Sequence, residues 1–318
     1  MTARRGGGAL RRTIQAALPW VLTIAIFAFL FSHIPVTRVV QSLGAARWGW
    51  YVALMLPYSI AYLLLDALAV TVAVQRFHAP VRYSKVLPVR AATYVLSLVN
   101  SNVGQGGLAL WLNRREGLPL LELAGTFVFL AFVEIYQLVI YSSLGVLLAG
   151  TRVPDLGVAY AFLYVFLAAF LLYFNGLRAI GWSRPAPGLL ATFGRARLSD
   201  YGVILAIKSV SLLLAIVVHH VALGLFGMSI PLLALLANLP LVFLVSALPI
   251  TVAKLGTSQL AWSFLLGAYA PEAGLVAYSL AAHVTFLITN AMIGVAFLPR
   301  VGKEVWELGA PAAQEAPG

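Results

Sequence analysis

The chain has 318 residues, of which 62% are hydrophobic and only 10% are charged. Soluble globular proteins average about 25% charged residues, so this composition excludes a soluble protein and indicates a polytopic membrane protein. The chain contains no cysteine, which excludes disulfides, thiolate metal sites and cysteine nucleophiles. The formal net charge of +11 is explained by basic loops at the membrane surface, and no nucleic-acid partner is expected.

Long apolar stretches predict which segments enter the membrane. They lie at 14–32, 50–75, 86–103, 119–149, 157–177, 202–228, 230–250, 257–270 and 273–298. The first follows four arginines and lacks a clear cleavage site, so we expect a retained helix rather than a signal peptide. The positions of Lys and Arg then indicate which stretches cross the membrane.

Cytoplasmic loops of membrane proteins carry most of the positive charge, and this rule predicts the topology. If 86–117 enters from the cytoplasm and returns, and 230–270 does the same from the opposite face, sixteen of the 21 Lys and Arg residues are cytoplasmic and three lie outside. If both segments are plain loops between ordinary spans, Arg114, Arg115 and the basic residues of 178–197 move outside. The charges favour six full transmembrane helices plus two oppositely oriented re-entrant hairpins, an arrangement like an inverted repeat.

The sequence divides into three regions. A cytoplasmic basic N-terminus at 1–13 precedes a transmembrane domain at 14–300. A cytoplasmic tail at 301–318 is rich in Gly, Ala, Pro and Glu and is predicted to be disordered. No polar stretch is long enough for an appended soluble catalytic domain, so the function is expected at the membrane.

The first hairpin is predicted to break at 98–107, where three glycines fall in four positions. Irregular backbone at membrane depth must face protein or a water-filled cavity, because an unpaired peptide group in hydrocarbon costs several kcal/mol. The candidate binding residues at this break are Asn100, Asn102, Gln105, Gly106 and Gly107. A helix that resumes near Gly107 would direct its positive N-terminal end at the cavity, which suits a phosphate.

The second hairpin is predicted to break at 246–259. Pro249 stops the helix and Gly256 permits a turn, after which Thr257 or Ser258 caps the returning helix. Lys254 lies inside this turn and is a candidate ligand for a lipid phosphate, with Gly256 and Gln259 beside it. Transporters commonly build their binding site where two such broken segments meet near the bilayer midplane.

The two breaks resemble the signature regions of a known family. The stretches are Asn100–Gly107 followed by Asn113–Gly117, and Leu248–Gly256 with Gly267 beyond it. They are similar to those of the lysylphosphatidylglycerol synthase transmembrane (flippase-like) family, and the resemblance covers 14–300. It implies a bacterial or archaeal inner-membrane protein that handles polar lipids, in some members beside glycosyltransferases or lipid-synthesis enzymes, without the aminoacyl-transferase domain of the full-length synthases.

The chain departs from the family where the family carries charges. Residues Gly107–Leu112 are neutral, and only Glu134 remains of the acidic and basic pattern in the following span. Gln259 replaces a glutamate after the second break, and His283 stands where arginine is frequent. These departures favour an altered substrate specificity.

Ionisable residues inside apolar segments are candidates for function, since a charge near the bilayer centre costs at least about 2.5 kcal/mol. Glu134 is predicted near the midplane, and His283 is predicted in a core or cavity wall. Asp66 and Lys208 lie at similar depths, about 10–14 Å from the cytoplasmic side, so they can form an ion pair. This pair either bridges two helices or contacts a headgroup. His219 and His220 point about 100° apart on a helix, so no metal site is expected.

The predicted function is translocation of an amphiphilic lipid, with an anionic headgroup or a polyprenyl phosphate bound between the two breaks. The alternative is a non-catalytic membrane scaffold for a glycosyltransferase or lipid-synthesis enzyme. A third hypothesis, an integral-membrane transferase, has less support because no catalytic motif occurs in the sequence. No enzyme activity, cofactor or metal is therefore expected, and the predicted location is the bacterial or archaeal inner membrane with both termini in the cytoplasm.

Overall fold

The computed structural model describes residues 6–97, 101–149, 157–176, 188–247, 251 and 254–306. All regular structure within these ranges is helical. The helices are α1 (Gly6–His33), α2 (Val36–Gly44), α3 (Trp48–Phe77), α4 (Tyr83–Ser97), α5 (Ser101–Glu116), α6 (Leu120–Ala149), α7 (Gly157–Leu171), α8 (Ala191–Arg195), α9 (Leu198–Leu225), α10 (Leu232–Ala247), α11 (Thr257–Leu266) and α12 (Glu272–Trp306). A π-helical turn at Leu172–Gly176 extends α7.

Helix length separates the spans from the hairpins. In the described part of the chain, α3, α6, α7 with its π turn, α9 and α12 are long and apolar enough to cross a membrane. A sixth candidate is the pair Trp20–His33 and Val36–Gly44, which bends by 87° at the break that contains Pro35. The prediction of an all-α polytopic membrane protein is confirmed.

Two pairs of shorter helices occupy the segments predicted as hairpins. Helices α4 and α5 have 15 and 16 residues, which corresponds to about 23 and 24 Å and is less than the ~30 Å hydrocarbon core. Helices α10 and α11 have 16 and 10 residues. The two members of each pair pack against each other. Entry of the two hairpins from opposite faces stays a prediction.

The chain folds into two compact units. Unit 1 comprises the described residues of Met1–Leu54, Leu138–Asp155 and Ile216–Thr285, and it contains the hairpin α10–α11. Unit 2 comprises those of Met55–Gln137, Leu156–Ala215 and Phe286–Gly318, and it contains the hairpin α4–α5. Each hairpin is therefore packed within its own unit.

Unit 1 is built on close helix contacts and buried aromatic rings. A Cβ atom on Gly145 of α6 would lie 2.3 Å from the backbone nitrogen of Ala237 in α10, so only glycine permits this approach. Beside it, the Ser142 hydroxyl donates a hydrogen bond to the Ala237 carbonyl at 2.5 Å. Nδ1 of His219 and the hydroxyl of Tyr278 are 2.5 Å apart in the aromatic core.

Unit 2 has an apolar core formed by α3, α4, α5, α6 and α9. Phe129 is fully buried and packs edge-on against Phe77 and Phe193. Helix α12 lies so close to α4 that a Cβ atom on Gly294 would meet the Ala91 carbonyl at 2.9 Å. The hairpin α4–α5 is therefore enclosed by longer helices on more than one side.

The first break differs from its prediction. Helix α5 begins at Ser101, so Gly104, Gly106 and Gly107 lie inside the helix and the prediction that it resumes near Gly107 is wrong. Packing explains a glycine here, because a Cβ atom on Gly107 would lie 3.0 Å from Leu96 Cδ1 of α4. A glycine in a helix costs about 1 kcal/mol relative to alanine, and close helix contact compensates for that loss.

Two smaller predictions also need correction. Gly256 occupies the position before α11, so neither Thr257 nor Ser258 is the capping residue. Helix α12 continues to Trp306, so residues 301–306 are helical rather than part of a disordered tail. Residues 307–318 lie outside the described residues, as do Met1–Arg5 of the predicted basic N-terminus.

Candidate functional site

Four charged side chains form two ion pairs inside the helices of unit 2. Arg90 Nε of α4 lies 2.5 Å from Asp66 Oδ2 of α3. Lys208 Nζ of α9 lies 2.7 Å from Glu134 Oε2 of α6. The charge of Lys208 also acts on Asp66, so the two pairs belong to one network.

The ends of three helices meet at one face of unit 2, which allows depths to be compared. Arg76 near the end of α3 pairs with Asp200 in the first turn of α9. Arg195 Nη2 lies 2.6 Å from Glu122 Oε2 in the first turn of α6, and its Nη1 donates to the Phe77 carbonyl at 3.1 Å. The end of α3 and the starts of α6 and α9 therefore lie at the same face.

Measured from that face, both pairs lie well inside the membrane helices. Asp66 is 11 residues from the end of α3 and Lys208 is 10 residues into α9, which gives about 17 and 15 Å at 1.5 Å per residue. Glu134 is 14 residues into α6, or about 21 Å. Arg90 is seven residues into α4, or about 10 Å along a hairpin helix that starts near the same face.

The Asp66–Arg90 pair, which we call the inner pair because its side chains are the more buried, is enclosed by protein. The exposed fractions of the two side chains are 16% and 10%. The Tyr94 hydroxyl donates to Asp66 Oδ2 at 3.1 Å, and the Arg90 guanidinium lies 5.2 Å from the centre of the Tyr94 ring. Both contacts satisfy charges that are removed from water. The inner pair thus attaches the hairpin α4–α5 to α3.

The Glu134–Lys208 pair, which we call the outer pair, is more exposed than the inner pair. The Glu134 side chain is 50% exposed, whereas that of Lys208 is 15% exposed. Tyr62 interacts electrostatically with both Glu134 and Asp66. A half-exposed carboxylate at this depth requires polar surroundings, because hydrocarbon does not solvate charge. The outer pair is therefore the part of the network that a ligand can reach.

The turn of the second hairpin brings together three predicted site residues in unit 1. Lys254 is half-buried and has a positive φ of 63°, and Gly256 has a φ of 90°. The Gly256 N–H donates to Gln259 Oε1 at 2.6 Å, which closes the turn onto the first turn of α11. Gln259 is fully buried, and its Nε2 has no hydrogen-bond partner among the described residues.

The remaining predicted site residues are distributed over both units. Gln105 is half-buried and Gly106 is exposed on α5, together with Gly107 in unit 2. The backbone of Asn102 is helical, but its side chain lies outside the described residues, as does the whole of Asn100. His283 is half-buried on α12 in unit 1. A shared cavity between the two breaks stays a prediction.

The direct Asp66–Lys208 pair predicted from matching depth is replaced by two pairs. Asp66 contacts Arg90, and Lys208 contacts Glu134, although Lys208 still influences Asp66. Arg90 is not among the predicted site residues, because the positive-inside rule counts it with the sixteen cytoplasmic Lys and Arg residues. The signal that could have identified it is its position four residues before Tyr94 in an apolar helix, where both side chains lie on the same face.

A second polar cluster lies at the face of unit 2. His78 Nε2 is hydrogen-bonded to Thr126 Oγ1 at 2.7 Å, and Thr126 in turn contacts Thr192 at 2.8 Å. Partial burial and the neighbouring charge of Arg195 lower the pKa of His78, while Glu122 opposes that shift. His78 therefore favours the neutral form in the folded protein.

The described residues contain no group of three or more His, Asp or Glu side chains that could hold a metal ion. The family models and the curated proteins give no match to this chain. The resemblance to the lysylphosphatidylglycerol synthase transmembrane family consequently stays a prediction.

Proposed function

We propose that this membrane protein is a lipid translocase that binds the headgroup of a phosphate-bearing lipid at the outer pair, Glu134–Lys208. The observation that carries the proposal is the half-exposed ion pair inside two long apolar helices. A charge pair at this depth loses hydration, and a fully enclosed pair would serve packing alone. Exposure of Glu134 supports a role in contacting a polar ligand.

Lys208 provides the chemistry that a phosphate requires. Its ammonium group is held by Glu134 at 2.7 Å and interacts electrostatically with Asp66 of the enclosed pair. Electrostatic attraction is stronger in a poorly hydrated site than in water, so one positioned cation is an effective phosphate ligand there. The ligands expected at this site are therefore lipids whose headgroups contain a phosphate.

The hairpin turn of unit 1 supplies a further candidate for headgroup contact. In this turn Lys254 is a cation in a broken segment, with Gly256 and Gln259 around it. His283 contributes a polar group on α12 of the same unit. The proposed setting is a bacterial or archaeal inner membrane with both termini in the cytoplasm, where a glycosyltransferase or lipid-synthesis enzyme acts on the same lipids.

Reconstitution in liposomes tests this proposal. The purified protein is incorporated with acyl-chain-labelled phospholipids or a labelled polyprenyl phosphate, and dithionite quenching measures exchange between the leaflets. We expect exchange by the native chain and its loss in Lys208→Gln and Lys254→Ala. Lys85→Gln is the matched control, because Lys85 is exposed at the start of α4 and makes no ion pair within the described residues.

Two results would contradict the proposal. Folded protein that exchanges none of these lipids would favour the scaffold hypothesis, and affinity capture of a glycosyltransferase or lipid-synthesis enzyme from native membranes would then be the next step. Equal exchange by the native chain and Lys208→Gln would remove the outer pair from the mechanism.

A further inference from the structure

The charge network of unit 2 is electrically neutral. Two carboxylates and two cations form it, and each carboxylate directly contacts one cation. In the described helices of unit 2, the other Asp, Glu, Lys and Arg residues lie within the first or last two turns. Within the described helices of this unit, the four charges that lie away from the helix ends therefore sum to zero.

Neutrality restricts which headgroup this site accommodates. An anionic headgroup that takes Lys208 displaces Glu134 and leaves its carboxylate unpaired, so the site gains a net negative charge in a poorly hydrated region. A headgroup with one phosphate and one ammonium group leaves the net charge of the site at zero. Its phosphate pairs with Lys208 and its ammonium pairs with Glu134, so every charge keeps a partner.

Burial allows a headgroup to replace the ion-pair partners only at the outer pair. Asp66 and Arg90 are 16% and 10% exposed, and Tyr94 bonds to the same carboxylate oxygen, so that pair remains closed. Glu134 is 50% exposed, so its carboxylate is free to turn towards an arriving ammonium group. Lys208 is mostly covered and keeps its position, which makes it the fixed phosphate ligand.

From this arrangement we infer that the preferred ligand is a zwitterionic phospholipid, in which a phosphodiester carries an ammonium group. This inference rests on the proposed function and narrows its substrate from phosphate-bearing lipids in general to net-neutral ones. Glu134 acts as the specificity-determining residue, because it selects for the ammonium group and against a headgroup that lacks one.

Charge substitution at one position tests the inference. Liposomes contain acyl-chain-labelled phosphatidylethanolamine, phosphatidylcholine or phosphatidylglycerol, so that the label leaves each headgroup intact. For the native chain, we expect the two zwitterionic lipids to exchange at least about tenfold faster than phosphatidylglycerol, a ratio that corresponds to about 1.4 kcal/mol. Glu134→Gln gives the site a net charge of +1 and should reverse this preference.

The chain offers a matched control on the same helix. Glu122→Gln removes the same charge from α6, but Glu122 lies in the first turn and pairs with Arg195 at the face of the unit. This variant should keep the native preference. The double variant E134K/K208E swaps the two charges and keeps the site neutral, so it should also prefer zwitterionic lipids. It provides a second test if Glu134→Gln does not fold.

A binding measurement separates this inference from the proposed function. Native mass spectrometry of the protein in micelles with equal phosphatidylethanolamine and phosphatidylglycerol reports which lipid is retained, whether or not exchange occurs. Preferential retention of phosphatidylethanolamine without any exchange would support the inference and contradict translocation. Retention that favours phosphatidylglycerol, or a preference unchanged in Glu134→Gln, would overturn the inference. If leaflet exchange still occurs in that case, translocation is left intact.

Discussion

The two hairpins are attached to their units by different physical interactions. In unit 2, α4 is joined to α3 by the enclosed Asp66–Arg90 ion pair. In unit 1, α10 contacts α6 where Gly145 permits a backbone approach and Ser142 donates to a carbonyl of α10. One attachment depends on charge compensation, and the other depends on the absence of a side chain.

This difference predicts different sensitivities to substitution. An enclosed ion pair tolerates the removal of both charges together but not of one, because the remaining charge has no partner. A glycine contact is insensitive to charge and sensitive to volume, since a packed interior does not expand freely to admit a methyl group. Unit 2 also contains a second, half-exposed ion pair in addition to the enclosed one.

The largest expected effect is the loss of one charge from the inner pair. Arg90→Met leaves the Asp66 carboxylate enclosed without a cation in direct contact, and breaking such a pair costs about 3–5 kcal/mol of unfolding free energy. The double variant Arg90→Met, Asp66→Leu should recover most of that loss. Thermal and denaturant unfolding of the purified protein in detergent measures both changes.

Arg82→Met is the control for this substitution, because Arg82 is exposed just before α4. It should change the unfolding free energy by no more than about 0.5 kcal/mol, as is usual for surface positions. If the double variant is as unstable as Arg90→Met alone, charge compensation does not hold the first hairpin, and the contrast between the units is wrong.

A smaller effect is expected at the glycine contact of unit 1. Gly145→Ala places a methyl group 2.3 Å from the Ala237 nitrogen, and we expect a loss of about 1–3 kcal/mol from overpacking. Gly202→Ala on α9 is the matched control, since a Cβ atom there meets nothing within 4 Å. That control should be neutral or slightly stabilising, because alanine favours helices. Equal stability of the two variants in unfolding experiments would show that α6 and α10 do not approach closely in solution.

Much of the fold was predictable from the sequence because hydrophobic length and charge position are physical constraints of a bilayer. The six predicted spans correspond to α1 with its bend, α3, α6, α7, α9 and α12, and the two predicted hairpins correspond to pairs of short helices. The exact break in the first hairpin was not predictable from composition. Gly107 serves helix contact rather than a loop, and that role depends on how α5 packs against α4.

Three of the charged residues in the candidate site were predicted from the sequence, but their ion-pair partners were not. Glu134, Lys208 and Asp66 were identified because charges inside apolar helices are costly. Their partners depend on the rotation of each helix, which hydrophobic segments without a strong polar face do not specify. Arg90 was missed because the positive-inside rule counts a basic residue near a helix end as a surface charge.

The smallest expected effect is a change in the pH dependence of the unfolding free energy. It tests whether the polar contacts of His78 at the face of unit 2 contribute to stability. Burial and Arg195 lower the pKa of His78 in the folded protein below the ordinary value of 6.5, against the opposing charge of Glu122. Unfolded chains then bind a proton at His78 more readily than folded ones, so stability is present above pH 6.5 and falls as the pH decreases through that value. His78→Gln removes this titration. Unfolding measured between pH 7.5 and 5.5 should show the native chain losing more stability than the variant, and parallel profiles would show that His78 contributes no pH dependence.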